Sequence, residues 1–516
     1  MIGSKTISSP YAGFAFIAII CGLFIVLATK AIPHDFANYY FGATFLKEGN
    51  FTSSLYFPHV FNLEIAARGY LNVYGNFTPN TPFLALCFLP LTFFPLGVAK
   101  CIFNVLSLVL FMYSLRNLFI AYRINNRILF LIPVVFVIPL KNGFLFGQVY
   151  LLLFFLLTEG FLAYKKDRYL NMAIYWSFAI MLKVFPVLLF GFLLFKKKYK
   201  GLIYLSLICL VLMTLSVLVC GTSIWEFYFR TVLPRAADGE ISLEIVQNYQ
   251  SFFMLFKSIF GSNTLLFSLV MLFFKLLLLL VIYFATRHEP SELKLFSIWM
   301  ILNTLLSPVG SSTYGGILLL FPFLFYMRKG NFDSKNNAII LLFFAIATVP
   351  VRYFSTLPVP FSYPRLMLYL FLFLILTRDT LKYVRWRMGS LLIFVVLMGY
   401  FLVLTEREPP RYVETLTNDL HALKYDYTVV DGLLNYIYWH REGKKVQPTR
   451  IKVISMDTTS ISFRDNQYFY REKQLTFDRS NKMKPAILND NSLIYLSDLE
   501  RGIGFYQLRS IPINTE

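Results

Sequence analysis

The chain has 516 residues, of which 57% are hydrophobic and only 15% are charged, and its mean hydropathy is +0.60. This composition excludes an ordinary soluble globular protein and predicts a chain that crosses a membrane several times. The formal net charge of +20 would suit nucleic-acid binding, but the basic residues lie in short clusters between apolar runs. That pattern is typical of cytoplasmic loops beside anionic lipid, so we expect membrane lipids as partners and no nucleic acid.

The apolar runs predict transmembrane helices, because several reach or approach the roughly 17 to 25 residues that span a bilayer and none alternates apolar and polar positions. If every basic cluster is cytoplasmic, an even number of crossings separates neighbouring clusters. This rule gives about 13 spans. They are 11–32, 98–118, two in 128–164, two in 170–196, 201–220, 264–285, 293–306, 314–327, 338–349, 364–377 and 389–404.

Three stretches of this bundle are predicted to be broken or short. The two spans in 128–164 form a first predicted hairpin, with a turn at 139–143. The two spans in 170–196 form a second predicted hairpin, with a break at 183–186. The roughly 14 residues before Lys183 rise only about 21 Å, so the bilayer thins locally or the helices end in a water-filled cavity. Residues 82–95, interrupted by Pro90, are predicted to lie in or re-enter the outer leaflet, which makes 33–97 one outward-facing loop.

The composition changes abruptly after Thr405, where the chain becomes polar. Strand-like runs occur at 427–430, 450–455, 467–470, 493–496 and 505–508. We therefore predict two domains: a transmembrane domain over 1–405 and a small mixed α/β extracytoplasmic domain over 406–516. The fold class is an all-α polytopic membrane protein with this C-terminal domain, in the cell membrane.

A carboxylate and several aromatic residues follow the first span. Asp35 lies just beyond it, where a general base would be partly shielded from water and near an acceptor hydroxyl. An Asp at this position also caps a helix, and both interpretations stay open. His34 is predicted to be an interfacial side chain. Tyr39, Tyr40 and Tyr56 would stack on sugar faces or belong to the aromatic belt at the interface.

Cations at the predicted outer side form a second group of candidates. Lys183 has apolar segments on both sides, and charges inside a membrane are expensive. It either reaches the outer boundary or holds the phosphate of a lipid donor while charge develops on the leaving group. Gln148 would donate to the same phosphate or begin a helix. Arg352 and Arg365 lie near the outward ends of late spans, where few arginines are expected. They are predicted to be either phosphate ligands or surface contacts with lipid.

Motifs of soluble chemistry are missing from the sequence. It contains no G-x-x-x-x-G-K-[ST], no G-x-S-x-G and no H-E-x-x-H. The five cysteines lie in or beside apolar segments at no metal-ligand spacing. The cysteines are predicted to be small core residues, no metal-ligand residue is predicted, and ATP-driven transport by this chain alone is not expected.

Several short pieces of the sequence resemble glycosyltransferase family 87 of the GT-C superfamily. They are, in chain order, Asp35 with 39–43, 46–49 with 55–56, 77–83, 147–150, 181–186 and 306–308. The likeness covers roughly residues 10 to 330, and the order of the pieces is its specific feature. One departure is that members often have a histidine a few residues after Ser307-Pro308, whereas 309–314 has none. The tail beyond Thr405 has no counterpart in the family pattern.

The resemblance implies a GT-C-like bundle that acts outside the cytoplasmic membrane. Family members transfer a sugar, such as mannose or another hexose or pentose, from a polyprenyl-phosphate donor to a glycan or glycolipid acceptor. Asp35 would then be the general base of an inverting transfer, and Lys183 would stabilise the departing phosphate. No cofactor is required, although Glu48 and Glu64 leave divalent-cation binding open.

Two other classes stay open at this point. A lipid-linked glycan polymerase or ligase should rely on arginine and histidine in a large late outer loop, and 221–263 contains arginines but no histidine. A lipid or solute transporter would show internal repeats with broken helices, which the adjacent hairpins 128–164 and 170–196 could form. The enzyme hypothesis requires Asp35 and Lys183 to lie close together.

Overall fold

The computed structural model describes residues 10–31, 33, 35–70, 73–237, 250–260, 264–307, 312–330, 333–354, 357–385, 414–415, 424–440, 443–464, 467–477, 482–489, 491–497 and 507–513. His34, the predicted span 389–404 and the side chain of Arg352 lie outside these residues. By backbone contacts the chain divides into two compact units. The first contains Met1–Phe36, Thr81–Gly221 and Ile245–Thr405, and the second contains Ala37–Asn80, Thr222–Glu244 and Glu406–Glu516.

The described part of the chain before residue 386 is almost entirely helical. Its α-helices are α1 (Pro10–Thr29), α2 (Asp35–Lys47), α3 (Pro58–Ala67), α4 (Pro82–Phe88), α5 (Leu96–Tyr122), α6 (Ile128–Val135), α7 (Val137–Phe146), α8 (Tyr150–Lys165), α9 (Tyr169–Leu182), α10 (Leu188–Phe195), α11 (Tyr199–Cys220), α12 (Thr222–Phe227), α13 (Leu233–Ala237), α14 (Phe252–Phe260), α15 (Thr264–His288), α16 (Glu292–Leu306), α17 (Leu320–Met327), α18 (Ser334–Thr348) and α19 (Pro364–Arg385). Short 3₁₀ segments lie at Ser53–Tyr56, Leu89–Phe93, Phe185–Val187, Tyr314–Leu319 and Val351–Phe354, and a π-helical turn at Tyr228–Val232.

Four helices within the described residues are long and apolar enough to cross a membrane: Tyr11–Thr29, Leu96–Tyr122, Tyr199–Cys220 and Leu265–His288. A fifth span results if α6 and α7, which bend by 62° at their junction, count as one. These helices support a membrane-embedded protein. The predicted number of about 13 spans is not confirmed, because many of the predicted crossings correspond to shorter helices.

The predicted turn at 139–143 is wrong. Helix α7 runs through these residues, and the chain bends instead at Phe136 and turns at Gly147. Pro139 is the third residue of α7, where its missing N–H would have no intrahelical partner in any case. Gly147 has a φ of 65°, the left-handed conformation that commonly ends a helix. Of the two spans predicted in 128–164, the first therefore corresponds to α6 together with α7, and the second corresponds to α8.

The predicted break at Lys183 is confirmed. Helix α9 ends at Leu182, and Lys183 has an extended backbone with φ −144° and ψ 126°. Pro186 explains the ending, because a proline ring in a continuing helix would collide with the carbonyl four residues earlier. The hydroxyl of Thr81 donates to the carbonyl of Met181, in the last turn of α9. The interruption near Pro90 is also seen, since α4 gives way to a 3₁₀ segment at Leu89.

The helices of the first unit pack side by side around large aromatic side chains. Helix α5 packs against α8, α8 against α9 and α9 against α11, while α1 contacts α5, α6 and α7. Trp176 and Trp299 are fully buried between them. The rings of Phe161 and Phe296 stack with their centroids 4.3 Å apart. This packing fixes the ends of α5, α8 and α9, which position the site described below.

The described residues after 406 in the second unit form strands and turns, with no helix among them. The strands are β1 (Glu414–Thr415), β2 (Lys424–Val430), β3 (Leu433–His440), β4 (Gly443–Lys452), β5 (Met456–Asp457), β6 (Ile461–Arg464), β7 (Gln467–Tyr470), β8 (Lys473–Gln474), β9 (Lys482–Leu488), β10 (Ser492–Ser497) and β11 (Gln507–Pro512). They form antiparallel sheets of order β1-β11-β10-β9-β5, β2-β3-β4 and β6-β7-β8.

Each predicted strand overlaps an observed strand, although 453–455 are not in a strand and 505–506 lie outside the described residues. The predicted helical component of a mixed α/β domain is not found in the described residues. Leu434, Leu496 and Leu508 form a core between these sheets, and Phe57 of the same unit packs against it. Strand β2 contains two tyrosines and three β-branched residues among its seven residues, and such residues favour strands over helices. One unit boundary falls at 405/406, yet the second unit also includes parts of two predicted outer loops. The division into 1–405 and 406–516 stays a prediction.

Candidate functional site

Asp35 and Gln148, which are 113 positions apart in the sequence, are joined by a hydrogen bond from Gln148 Nε2 to Asp35 Oδ2. Asp35 is the first residue of α2, where the helix dipole favours a negative charge. Gln148 follows the left-handed Gly147, and its backbone N–H donates to the carbonyl of Gly143 at 2.9 Å. A Cβ atom on Gly147 would lie 2.7 Å from the Cβ atom of Phe36. This close approach places the amide beside the carboxylate.

Two lysines lie within electrostatic range of the Asp35 carboxylate. Lys183, at the break after α9, and Lys100 on α5 each interact electrostatically with Asp35. Lys100 is buried, and its Nζ donates to the carbonyls of Leu145 at 2.7 Å and Ala28 at 3.3 Å. Lys183 is only partly buried. Asp35 and Gln148 are therefore in direct contact and Lys183 lies within electrostatic range of Asp35, while the catalytic and binding roles predicted for these residues stay predictions.

A small polar cavity adjoins this group. Tyr150, the first residue of α8, lies within electrostatic range of Asp35 and is hydrogen-bonded to the side chain of Ser312. Its ring stacks on Phe185 with centroids 6.0 Å apart. Both residues line a cavity of about 30 Å³. The remaining lining residues are Asn303, Thr304, Ser307, Ser312, Gly315 and Leu318.

Asn303 is the most telling residue of this cavity. It is 4% exposed on α16, and its Nδ2 donates to the carbonyl of Trp299 at 3.1 Å. Its Oδ1 has no hydrogen-bond partner among the described residues. Leaving a buried acceptor unpaired costs about 1–3 kcal/mol, so a hydroxyl group or a water in the cavity would be bound favourably.

Arg365 is buried near the start of α19. Its guanidinium donates to the carbonyl of Val349 at 3.1 Å, and its backbone N–H donates to Gln250 Oε1 at 3.1 Å. Tyr369 lies within electrostatic range of both Arg365 and Tyr150. Arg352 belongs to the 3₁₀ segment Val351–Phe354, and its side chain is not described. The proposed phosphate contacts of both arginines stay predictions.

The three tyrosines predicted to contact sugar belong to the second unit and are buried there: Tyr39 is 1% exposed, Tyr40 7% and Tyr56 0%. The hydroxyl of Tyr56 donates to the carbonyl of Asn80 at 3.1 Å, and its ring packs edge-on against Phe77. Such packing favours a structural role. Their predicted part in sugar binding stays untested.

The acids considered for a divalent cation are engaged with an arginine. Arg68 forms ion pairs with Glu64, at 2.9 Å, and with Glu48. Within the described residues there is no group of three or more His, Cys, Asp or Glu side chains that could hold a metal ion.

Sequence reasoning missed Lys100, Tyr150 and Asn303. Lys100 and Asn303 each interrupt an apolar run that was predicted to span the membrane, and a lone polar residue in such a run is a recognised sign of function. Tyr150 lies inside the 147–150 piece but carries no signal of its own. Their common location depends on how α5, α8 and α16 pack, which one sequence does not show.

Residues 77–308 match the family model of Glycosyltransferase family 87. The resemblance noted from the sequence is confirmed, and the match supports a transferase rather than a transporter. The matched segment contains Lys100, Gln148, Tyr150, Lys183 and Asn303, whereas Asp35 precedes it. No curated protein and no solved structure matches the chain.

Proposed function

We propose that this chain, whose residues 77–308 match the model of glycosyltransferase family 87, transfers a sugar from a polyprenyl-phosphate donor to a hydroxyl of an extracytoplasmic glycan or glycolipid. The observation that carries the proposal is the convergence of Asp35, Gln148 and Lys183 beside a polar cavity. Membrane-crossing helices in the same unit suit a donor that is itself a lipid.

Asp35 acts as the general base in this mechanism. Its carboxylate accepts the proton of the acceptor hydroxyl while the hydroxyl oxygen bonds to the anomeric carbon of the donor. The bond between that carbon and the phosphate oxygen breaks, and the polyprenyl phosphate leaves with both electrons. Gln148 donates to Oδ2 and so fixes the orientation of the carboxylate, which leaves Oδ1 to take the proton. A single displacement inverts the anomeric configuration.

The two lysines have different electrostatic roles: Lys100 acts on Asp35, and Lys183 acts on the phosphate of the donor. Lys100 is buried, donates to two backbone carbonyls and lies within electrostatic range of Asp35, so its positive charge partly offsets the negative charge of the carboxylate. Lys183 lies at an irregular break in the chain and is partly exposed, which allows its ammonium to meet the phosphate of the donor. A cation placed there stabilises the charge that develops on the leaving group.

The polar cavity supplies a place for part of the sugar. A volume of about 30 Å³ accepts a group the size of one or two waters, such as a hydroxyl or hydroxymethyl group. Asn303 Oδ1 would accept a hydrogen bond from that group, and Ser312 and Tyr150 line the same space. The cavity is thus suited to orient the sugar beside Asp35 and Lys183.

The localisation is proposed on the same grounds. The basic links between helices predict the cytoplasmic side, and Asp35, Gln148 and Lys183 lie at the opposite ends of α5, α8 and α9 from those links. A multi-pass protein of the cell membrane with an extracytoplasmic site would therefore act on lipid-linked sugars presented outside the cell.

The test uses purified full-length protein in lipid nanodiscs. Radiolabelled polyprenyl-phosphate sugars, each carrying mannose, glucose or arabinose, are offered with glycolipid acceptors. We expect transfer by the natural chain and its loss in Asp35→Asn, with donor binding retained. Asp379→Asn is the matched control, because Asp379 is an exposed carboxylate on α19. Transfer by Asp35→Asn at the rate of the control would refute the assignment of the base.

A further inference from the structure

A large polar cleft lies at the other end of α8 from Tyr150, between α5, α8 and α9. Its volume is about 540 Å³. The rise along α8 from Tyr150 to Lys165 is about 22 Å, so the cleft is separate from the site described above. Its lining includes six charged or amide side chains: Asn117, Glu159, Lys165, Lys166, Arg168 and Asn171.

The cleft is strongly cationic at its rim and polar at its floor. Three cations face one carboxylate, which is an excess of two positive charges. Glu159 is partly buried and accepts a hydrogen bond from Asn117 Nδ2 at 3.0 Å. Lys166 lies within electrostatic range of Glu159, and Lys165 Nζ lies 4.1 Å from the ring centroid of Tyr122.

The turn that carries the three cations is well built. The backbone N–H groups of Lys166 and Arg168 both donate to the carbonyl of Ala163, at 3.1 and 3.0 Å. Asp167 between them has a φ of 53°, and its carboxylate accepts a hydrogen bond from Lys198 at 3.1 Å. The acid of the turn is thus paired with Lys198 and does not line the cleft, so it does not cancel the positive rim.

An apolar groove adjoins the cleft along α5. Tyr113 and Ile120 line both, and both side chains are more than half exposed. The groove has a volume of about 550 Å³ and is lined further by Tyr11, Phe14 and Met112, among others. A cationic cleft beside an apolar groove has the chemistry of an amphiphile with an anionic headgroup.

We infer that this cleft binds an anionic phospholipid of the bilayer. The phosphate contacts Lys165, Lys166 and Arg168, and headgroup hydroxyls donate to Glu159 and contact Asn117. An acyl chain follows the groove past Ile120. Basic clusters between membrane helices attract anionic lipids in this way. The inference is independent of the proposed transfer, because neither the cleft nor the groove includes a residue of that site.

Native mass spectrometry of the full-length protein tests the inference. The detergent-solubilised protein is titrated with phosphatidylglycerol, phosphatidylethanolamine and phosphatidylcholine of identical acyl chains. We expect phosphatidylglycerol to bind best. The triple variant Lys165→Gln, Lys166→Gln, Arg168→Gln should bind it about tenfold more weakly. The control, Lys196→Gln, Lys197→Gln, Lys200→Gln, removes the same charge from the next basic link, outside the cleft lining.

Three results would overturn the inference. The first is an equal loss of phosphatidylglycerol in the two triple variants, which would indicate general surface attraction. The second is a preference for phosphatidylcholine, and the third is unchanged binding by the cleft variant. If the triple variant fails to fold, Lys166→Gln alone replaces it and should weaken binding severalfold.

Discussion

Gly147→Ala provides the sharpest test of how the fold positions Asp35. Gly147 has a φ of 65°, and an alanine in this left-handed conformation costs about 1–2 kcal/mol. Its Cβ would also lie 2.7 Å from the Cβ of Phe36, which is well inside the ~3.5–4.0 Å of an ordinary carbon contact. A Cβ atom is fixed to its backbone, so Phe36 and its neighbour Asp35 must move by up to about 1 Å. A displacement of this size costs on the order of 100-fold in rate.

The matched control for this change is Gly143→Ala, one turn earlier on α7. A Cβ there meets nothing within 4 Å, and the residue has ordinary helical geometry. Alanine in a helix is favoured over glycine by up to about 1 kcal/mol, so this variant should be at least as stable as the natural chain. Sugar transfer is measured as kcat and KM, with thermal unfolding alongside. Natural kcat and natural stability in Gly147→Ala would refute the reasoning.

Three further predictions concern separate parts of the chain. Lys183→Met should lower kcat about 100-fold or more with a smaller change in donor binding, whereas Lys183→Arg should retain part of the natural kcat. Equal activity of the two variants would exclude a role for the charge. Asn303→Leu should raise KM for the full donor but not for a donor that lacks the hydroxyl bound in the cavity, and an equal rise for both donors would contradict the proposed contact. Hydrogen bonds from Ser460 and Thr459 lower the pKa of Asp457 from 3.8 to about 2. The contribution of this carboxylate to stability is therefore present above pH ~4 and is lost as the pH falls towards 2. Asp457→Asn should destabilise the second unit at pH 7 but not at pH 2, as measured by tryptophan fluorescence during unfolding.

Local chemistry explains which parts of the fold the sequence predicted. The break at Lys183 follows from Pro186, a local cause that one sequence contains. The same reasoning failed at Pro139, because a proline in the first turn of a helix is tolerated and the deciding residue was Gly147. The number of spans was not predictable in this way, since many helices are too short to be judged by length alone.

The candidate site was predicted only in part for a similar reason. Asp35 and Lys183 stand out in the sequence because each is a charge beside apolar runs. Lys100 and Asn303 carry the same signal more weakly, and only the packing of α5 and α16 shows that they lie near the others. The pairing of β1 with β11, strands almost 100 positions apart, likewise depends on long-range contacts.

The hydrogen bond from Thr81 to the carbonyl of Met181 has a mechanical consequence. The end of α9 frees that carbonyl from the regular helical ladder, and the hydroxyl at the entrance to α4 takes the place of the missing amide. This hydrogen bond thereby joins the segment that leads into α4 to Met181, two positions before Lys183. Any shift of Lys183 towards a bound phosphate must therefore either move the start of α4 with it or break the hydrogen bond between Thr81 and Met181.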